Sequence, residues 1–205
     1  MKTNFDFVAP YYDRLLKMVF GRSMFRGQTI FLSQISPDAN VLVLGGGTGW
    51  LLAELLISNH SCKIWYIEAS IKMLELTKAR IGKSSQVTFI HGTQDTLPPD
   101  VRYDVVVTNF FLDLFSRSEL ERVIPKIAAS LRSKSAWHVC DFNNTTWWHS
   151  AFLKVMYAFF YLTAGLSADR LPNWRVTMKE SGFSEIKTRT FFNGFIVNSV
   201  LTRLS

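Results

Sequence analysis

The chain has 205 residues, of which 48% are hydrophobic and 19% charged, so it can bury one large core but is too short for two ordinary enzyme domains. We therefore predict a single domain over residues 1–205. The net charge of +7 comes from 23 scattered lysines and arginines rather than from a basic stripe with stacking aromatics, which argues against a nucleic-acid partner.

The cysteines and the N-terminal residues indicate the compartment. Cys62 and Cys140 lie far apart and lack the spacing of a zinc site or of a disulfide framework, so we expect no metal. Residues 1–10 lack the continuous apolar core of a signal peptide. The apolar run 151–166 contains Lys154 and falls short of the ~20 residues that a membrane span requires. These features favour a cytoplasmic protein.

In chain order, strand-like apolar runs begin at Val41 and alternate with stretches whose apolar residues recur at helical spacing. This alternation is typical of a parallel sheet covered by helices on both faces. Thr48 and Ser70 precede the first two helices of the pattern and would open them. The predicted elements of this half are strand 41–44, helix 50–58, strand 63–67, helix 70–81 and strand 87–91.

The second half of the pattern begins with residues 105–107, three valines typical of a strand buried on both faces. Ser118 and Glu121 have the spacing of a capping box and would open the next helix. Asn193-Gly194 predicts a hairpin turn between two closing strands. The predicted elements are strand 103–108, helix 118–131, strand 135–141, helix 147–161, helix 172–180, strand 185–191 and strand 195–201.

Together these elements predict a Rossmann-like, doubly wound α/β fold with helices on both faces of the sheet. The sheet has seven strands, is mostly parallel and ends in an antiparallel C-terminal hairpin. Residues 143–170 would form a helical insertion over the substrate site.

The glycine-rich turn after the first predicted strand indicates a ligand site. Glycines at Gly45 to Gly49 let the backbone turn sharply and approach a ligand, and the helix that follows presents free N–H groups. A nucleotide-like molecule fits such a turn. The dinucleotide fingerprint requires glycine at position 50, where this chain has Trp50, and this weakens the alternative of an NAD(P)-binding oxidoreductase.

Glu68 ends the second predicted strand, about 20 residues beyond the glycines. A carboxylate at this position can accept hydrogen bonds from both hydroxyls of a ribose. The alternative is an ordinary carboxylate favoured by the positive end of the helix that follows.

With this turn and this carboxylate, the chain resembles the class I S-adenosylmethionine-dependent methyltransferases. The resemblance implies that the glycine turn meets the amino-acid part of S-adenosylmethionine, Glu68 its ribose and Asp95 its adenine amine. Asp95 would otherwise be a common turn residue. The implied cofactor residues are Tyr12, Gly45, Gly46, Gly47, Thr48, Gly49, Glu68, Ala69, Ser70, Met73, Gln94, Asp95, Thr96, Asn109 and Phe110.

The N-terminal stretch 5–15 and the later residues 20–22 resemble the opening of the ubiquinone and menaquinone biosynthesis methyltransferases. In that group the segment covers the cofactor, which implies an N-terminal helical cap over residues 1–36. The chain departs from the group after the fourth strand, where Asn109 to Leu112 replaces the characteristic Gly-Leu-Arg-Asn. Tyr11 and Tyr12 would line the site or pack the cap against the domain.

The acceptor is expected to be small and apolar or aromatic, such as a quinol, a phenol or a lipid-like molecule, because the insertion is rich in aromatic side chains. Many of these aromatics could equally pack onto the sheet. The candidate substrate-binding residues are Tyr11, Phe111, Trp147 and Trp148. If the acceptor must lose a proton, His149 is the first candidate base and Asp113 the second, with His91 also able to accept one.

Two alternatives to the methyltransferase remain open, an NAD(P)-binding oxidoreductase and a non-catalytic protein that binds the cofactor. A basic and aromatic insertion could also make peripheral contact with a membrane. The sequence does not specify the oligomeric state.

Overall fold

The computed structural model describes residues 5–165 and 170–203. The predicted cap 1–36, insertion 143–170 and apolar run ending at Leu166 each extend into residues that lie outside the described ranges. Seven strands form one sheet: β1 Asn40–Leu44, β2 Lys63–Glu68, β3 Val87–His91, β4 Tyr103–Asn109, β5 Leu131–Phe142, β6 Phe183–Phe191 and β7 Ile196–Arg203. Seven α-helices accompany them: α1 Tyr12–Phe20, α2 Ser23–Thr29, α3 Trp50–Ser58, α4 Ile71–Ile81, α5 Arg117–Ala128, α6 Trp147–Ala164 and α7 Trp174–Glu180.

The strand order β3-β2-β1-β4-β5-β7-β6 confirms the predicted fold class. Strands β1 to β5 pair in parallel, while β7 pairs antiparallel with both β5 and β6. The chain order reverses between β1 and β4, so the carboxyl ends of these strands and of β2 meet where open α/β sheets bind ligands.

The central strands are buried on both faces because helices cover each side of the sheet. Leu42 of β1 shares a core cluster with Leu120 of α5, whereas its neighbour Val43 shares a cluster with Leu52 of α3. Successive side chains of a strand point to opposite faces, so the apolar run of β1 supplies both cores at once.

A third apolar cluster lies where the N-terminal helices and α6 meet the C-terminal hairpin. The Phe20 ring of α1 lies 5.9 Å from that of Phe142, and the Phe142 ring lies 5.0 Å from that of Phe195. The Phe20 ring also lies 5.8 Å from that of Phe152 in α6, so aromatic packing holds α1 and α6 above the carboxyl edge of the sheet.

The C-terminal hairpin lies where the sequence predicts it, but its turn is longer than the predicted Asn193-Gly194 turn. Residues 192–195 form a four-residue turn between Phe191 and Ile196, and the backbone is left-handed at Phe192, Asn193 and Gly194. Phe195 belongs to this turn rather than to β7, because its N–H donates to the Phe192 carbonyl at 3.0 Å.

The predicted opening of α5 at Ser118 and Glu121 is wrong by two residues. The sequence holds two overlapping Ser-x-x-Glu patterns, and the structure uses the first, in which Ser116 is the N-cap and Glu119 closes the capping box. Glu121 instead pairs with Arg117, one helical turn away. The helix also ends at Ala128, before the predicted position 131, because Leu131 already begins β5.

Within residues 5–165 and 170–203, none of the helices combines the length and the apolar character needed to cross a membrane.

The two serines at the start of α5 give a matched test of this helix start. Ser116→Ala is expected to lower the free energy of unfolding by about 1 kcal/mol, because the N-cap hydroxyl accepts from the Glu119 N–H. Ser118→Ala, in the first turn of the same helix, should change it by less than about 0.5 kcal/mol. Urea unfolding measures both free energies. Equal losses in the two variants, or a larger loss in Ser118→Ala, would contradict a helix start at Ser116.

Candidate active site

A cavity of about 170 Å³ opens at the carboxyl ends of β1, β2 and β4, beneath α1. We call it the first cavity. It brings together most of the predicted cofactor residues, namely Tyr12, Gly45, Gly46, Gly47, Thr48, Glu68, Ala69, Ser70, Met73, Gln94, Asp95, Asn109 and Phe110. Phe111, predicted to bind substrate, also lines it. Gly49 and Thr96 do not.

The glycine turn forms the floor of the first cavity. A Cβ on Gly46 would overlap the Tyr66 ring that lies below it, whereas a Cβ on Gly47 would meet no atom within 4 Å. The Gly47 backbone is left-handed, which glycine adopts without strain. The turn is thus closed on its underside and open toward the cavity.

Tyr66 and Thr77 hold this turn from below, and sequence reasoning missed both. The Tyr66 hydroxyl donates to the Gly47 carbonyl at 2.8 Å, and the Thr77 hydroxyl lies 2.8 Å from the same oxygen. In the sequence both look like ordinary core residues of an amphipathic pattern, so no local signal distinguishes them.

Thr48 does not cap α3 as predicted. The N-cap is Gly49, with a left-handed backbone and no side-chain hydrogen bond. The Thr48 hydroxyl instead donates to Asp13 of α1 at 2.5 Å. Trp50 begins α3 and packs against Phe25 of α2, at 4.5 Å between ring centroids.

Glu68 lies at the end of β2 and bridges two segments of the cavity wall. Its Oε2 accepts from the Gly47 N–H at 2.9 Å, and its Oε1 accepts from the Ser70 N–H at 2.8 Å. The residue is only 7% exposed. Burial raises the pKa of Glu68, and the backbone N–H donors oppose that shift by favouring the charged form.

Ser70 confirms its predicted role at the start of α4, because its hydroxyl accepts from the Met73 N–H at 3.1 Å. The same hydroxyl donates to Asp6 at 2.5 Å. Asp13 pairs with Arg80 of α4. Two carboxylates of the N-terminal segment therefore fasten it over the first cavity.

The β3 side of the first cavity carries Gln94 and Asp95 on a short 3₁₀ turn. Asp95 is largely exposed and pairs with Lys126, whose hydrogen bond lowers the pKa of Asp95. Thr96 turns away from the cavity, since its hydroxyl donates to the Thr93 carbonyl at 2.8 Å.

A second cavity, of about 230 Å³, lies between α1 and α6. Tyr12, Phe110 and Leu114 line both cavities, so the two adjoin across these side chains. Its walls are almost entirely apolar, and no lysine or arginine of the described residues lines it. Besides the tyrosines Tyr12 and Tyr157, the polar side chain of its lining is Asp113.

Asp113 and Asp141 are buried together behind the second cavity. Asp141 accepts three backbone N–H bonds, two at Oδ2 from Leu112 and Asp113 and one at Oδ1 from Phe142. By contrast, the Oδ1 atom of Asp113 is buried without a hydrogen-bond partner among the described residues. Burial raises the pKa of Asp113 well above its ordinary value, and the charge of Asp141 adds to this effect. Burial likewise raises the pKa of Asp141 to about 7.

The structure does not support His149 as a base. The residue is fully buried and lines neither cavity. Its Nδ1 accepts from the Thr145 N–H at 3.2 Å, and its Nε2 lies 3.3 Å from the Asn193 carbonyl. The Nδ1 bond thus holds the residues before α6, and the Nε2 contact joins α6 to the hairpin turn, so both ring nitrogens have a structural role. His91, the other candidate, lies 3.0 Å from the Ala69 carbonyl through its Nε2 and lines neither cavity.

Three of the predicted substrate residues also lie away from both cavities. Tyr11 and Trp147 are exposed on the surface. Trp148 packs against Phe195, at 5.7 Å between ring centroids. The positions of these three side chains could not be predicted from the local sequence. The sequence shows which residues of a helix are aromatic, but other elements of the fold decide which of them are covered.

Comparison with known proteins agrees with this geometry. Residues 41–134 match the methyltransferase domain family. A malonyl-[acyl-carrier protein] O-methyltransferase of Ilyobacter polytropus is 27% identical over 106 residues, which are 52% of this chain and 39% of that protein. The chain therefore spans well under half the length of this relative.

Two solved structures share the fold. One is a complex between the Haloferax volcanii Trm112 methyltransferase activator and a methyltransferase, with a TM-score of 0.76, 14% identity and full coverage of both chains. The other is NcsB1, an O-methyltransferase from neocarzinostatin biosynthesis in complex with S-adenosylmethionine and a hydroxy naphthoic acid. It has a TM-score of 0.68 and 13% identity, and the match covers 97% of this chain and 58% of that one.

The sheet order, the glycine turn with its bridging carboxylate and the match of residues 41–134 to the methyltransferase domain family agree with one another, and together they indicate a class I S-adenosylmethionine-dependent methyltransferase.

Proposed function

We propose that this protein transfers the methyl group of S-adenosylmethionine, bound in the first cavity, to a hydroxyl oxygen of a small apolar or aromatic molecule in the second cavity. The observation that carries the proposal is the pair of adjoining cavities. The first is lined by the glycine turn and the carboxylates of Asp13, Glu68 and Asp95 together with apolar side chains, and the second is lined by apolar side chains around one buried carboxyl group.

The first cavity suits the cofactor in three places. The glycine turn is open toward the cavity at Gly47, where the backbone can approach the amino-acid part closely. The Glu68 carboxylate accepts from the backbone N–H groups of Gly47 and Ser70, and its oxygens retain lone pairs that can accept from two ribose hydroxyls. Gln94 and Asp95 lie on the β3 side, where the family holds the adenine.

S-adenosylmethionine supplies a methyl group on a sulfonium, and its transfer is an in-line displacement that leaves the sulfur neutral. The protein contributes chiefly by aligning the two reactants and excluding water. Tyr12 and Phe110 stand between the cavities and would position the acceptor oxygen. The apolar walls of the second cavity exclude water from the reacting atoms.

Asp113 is proposed to accept the proton of the acceptor hydroxyl, in place of His149. Asp113 lines the second cavity. The carboxylate of Asp141, by contrast, already accepts three backbone N–H bonds. A raised pKa makes Asp113 a stronger base once its own proton has left.

The charge of the second cavity favours a neutral acceptor over a carboxylate. The Ilyobacter relative is named for malonyl-[acyl-carrier protein] O-methylation, a reaction at a carboxyl group. A carboxylate in an apolar cavity needs a cation or several donors, and no described lysine or arginine lines this one. A phenol, a quinol or another neutral hydroxyl compound is therefore the proposed class.

Glu68→Gln tests the cofactor site. It is expected to weaken the affinity for S-adenosylhomocysteine at least about tenfold, because hydrogen bonds to a charged acceptor are worth about 1.5–3 kcal/mol. Glu75→Gln, on the exposed face of α4, should leave the affinity within about twofold. Calorimetric titration measures both. Retained affinity in the Glu68 variant, or binding of NAD in its place, would overturn the assignment.

Asp113→Asn tests the proton acceptor. With a panel of phenols and quinols, the variant is expected to lose about 10²-fold or more in kcat while S-adenosylhomocysteine affinity stays within about twofold. The wild-type rate should rise with pH as Asp113 loses its proton, because the protonated carboxyl cannot accept another, and the variant should lack this rise. Asp104→Asn, at the opposite end of β4, is the matched control and should match the wild type. An unchanged kcat in D113N would exclude Asp113 as the base.

A further inference from the structure

The outer face of α6 is apolar and exposed over nearly its whole length. Trp147 is 84% exposed, Val155 67% and Leu162 81%. Together with Ala151 and Ala158, which are also exposed, they follow one another at intervals of three or four residues, so they form a single stripe along the helix. Isolated exposed apolar residues are common, but a continuous stripe of four turns indicates an interaction surface.

The second cavity opens at this stripe. Val155 and the neighbouring Phe159 line the cavity and are exposed at the same time. Across the opening, α1 contributes Leu15 and Val19 to the lining and exposes Met18 between them. We call the exposed apolar residues of α1 and α6 around this opening the α1–α6 face.

The charges near the α1–α6 face are positive. Arg14, Lys17 and Lys154 are exposed on these two helices. Helix α6 contains no acidic residue, and the acid of α1, Asp13, is held at the first cavity by Arg80 and Thr48. An apolar stripe flanked by lysine and arginine is the pattern of helices that lie in the interface of an anionic bilayer.

We propose that the α1–α6 face docks onto an anionic phospholipid bilayer. Docking would set the apolar stripe at the boundary of the acyl chains, the three cations at the phosphates and the opening of the second cavity against the lipid. This inference goes beyond the proposed function. It also gives the methyl acceptor a route into the second cavity, by direct entry from the lipid phase.

Two other occupants fit the α1–α6 face less well. A second copy of the chain would bring together two proteins that each carry a net charge of +7. An acidic carrier protein would be held mainly through the cations, which leaves the four-turn apolar stripe unexplained.

Co-sedimentation with vesicles tests the proposal without any methyl acceptor. At low salt the wild type is expected to sediment with phosphatidylcholine–phosphatidylglycerol vesicles and less with phosphatidylcholine alone. Val155→Glu and Leu162→Glu should each lower the partition coefficient about tenfold or more, because a carboxylate opposes both insertion and the anionic surface. Ile57→Glu, at a 65% exposed position on α3, is the matched control and should sediment like the wild type.

Thermal unfolding and S-adenosylhomocysteine titration of the same variants show that they remain folded and keep the first cavity intact. Wild-type protein that stays in the supernatant would overturn the proposal, as would an equal loss in the Ile57 variant. A dimer that Leu162→Glu dissociates, seen by sedimentation velocity without vesicle binding, would assign the face to self-association instead. Cofactor binding is measured separately, so failure of the docking proposal and failure of the proposed function can be distinguished.

Discussion

The site depends on one buried carboxylate. Glu68 accepts from Gly47 with one oxygen and from Ser70 with the other, so a single side chain ties the glycine turn after β1 to the start of α4 after β2. Parallel pairing of β1 and β2 brings their carboxyl ends side by side and makes this bridge possible. Ser70 in turn binds Asp6, and through that contact the same bridge supports the N-terminal segment above the first cavity. Burial raises the pKa of this carboxyl group, and the backbone N–H groups that oppose the shift are the ones that shape the cavity.

The second feature of the site is the difference in polar groups between the two cavities that adjoin at Tyr12 and Phe110. The glycine turn and three carboxylates stand among the apolar side chains that line the first cavity, whereas α1 and α6 enclose the second with apolar side chains around the single carboxyl group of Asp113. Of the two acids behind the second cavity, Asp141 is fully engaged in holding the turn after β4, and Asp113 keeps a buried oxygen without a partner among the described residues. Burying such an oxygen costs free energy, and a ligand that donates a hydrogen bond to it would offset this cost.

The sequence predicted what depends on local pattern. The apolar run of β1, its glycine turn and Glu68 stand within about 30 residues, and their spacing was enough to predict the sheet, the turn and the position of the carboxylate. The features that were not predicted depend on packing between residues far apart in the sequence. Two equivalent Ser-x-x-Glu patterns could not be told apart from the local sequence, and the structure uses the one that begins at Ser116. His149 was assigned by its aromatic neighbours, yet its ring is turned toward Asn193, which lies 44 residues away in sequence. The second cavity exists only because α1 and α6, more than 120 residues apart in sequence, enclose one space.

The most direct test of the central claim is a crystal structure of the protein with S-adenosylhomocysteine. We expect the amino-acid part of the ligand to lie against Gly45 to Gly49 and both ribose hydroxyls to lie within about 3.2 Å of the Glu68 carboxylate. We also expect the ligand sulfur to be directed toward Tyr12 and Phe110, facing the second cavity. A ligand bound elsewhere, or one whose ribose lies away from Glu68, would contradict the account.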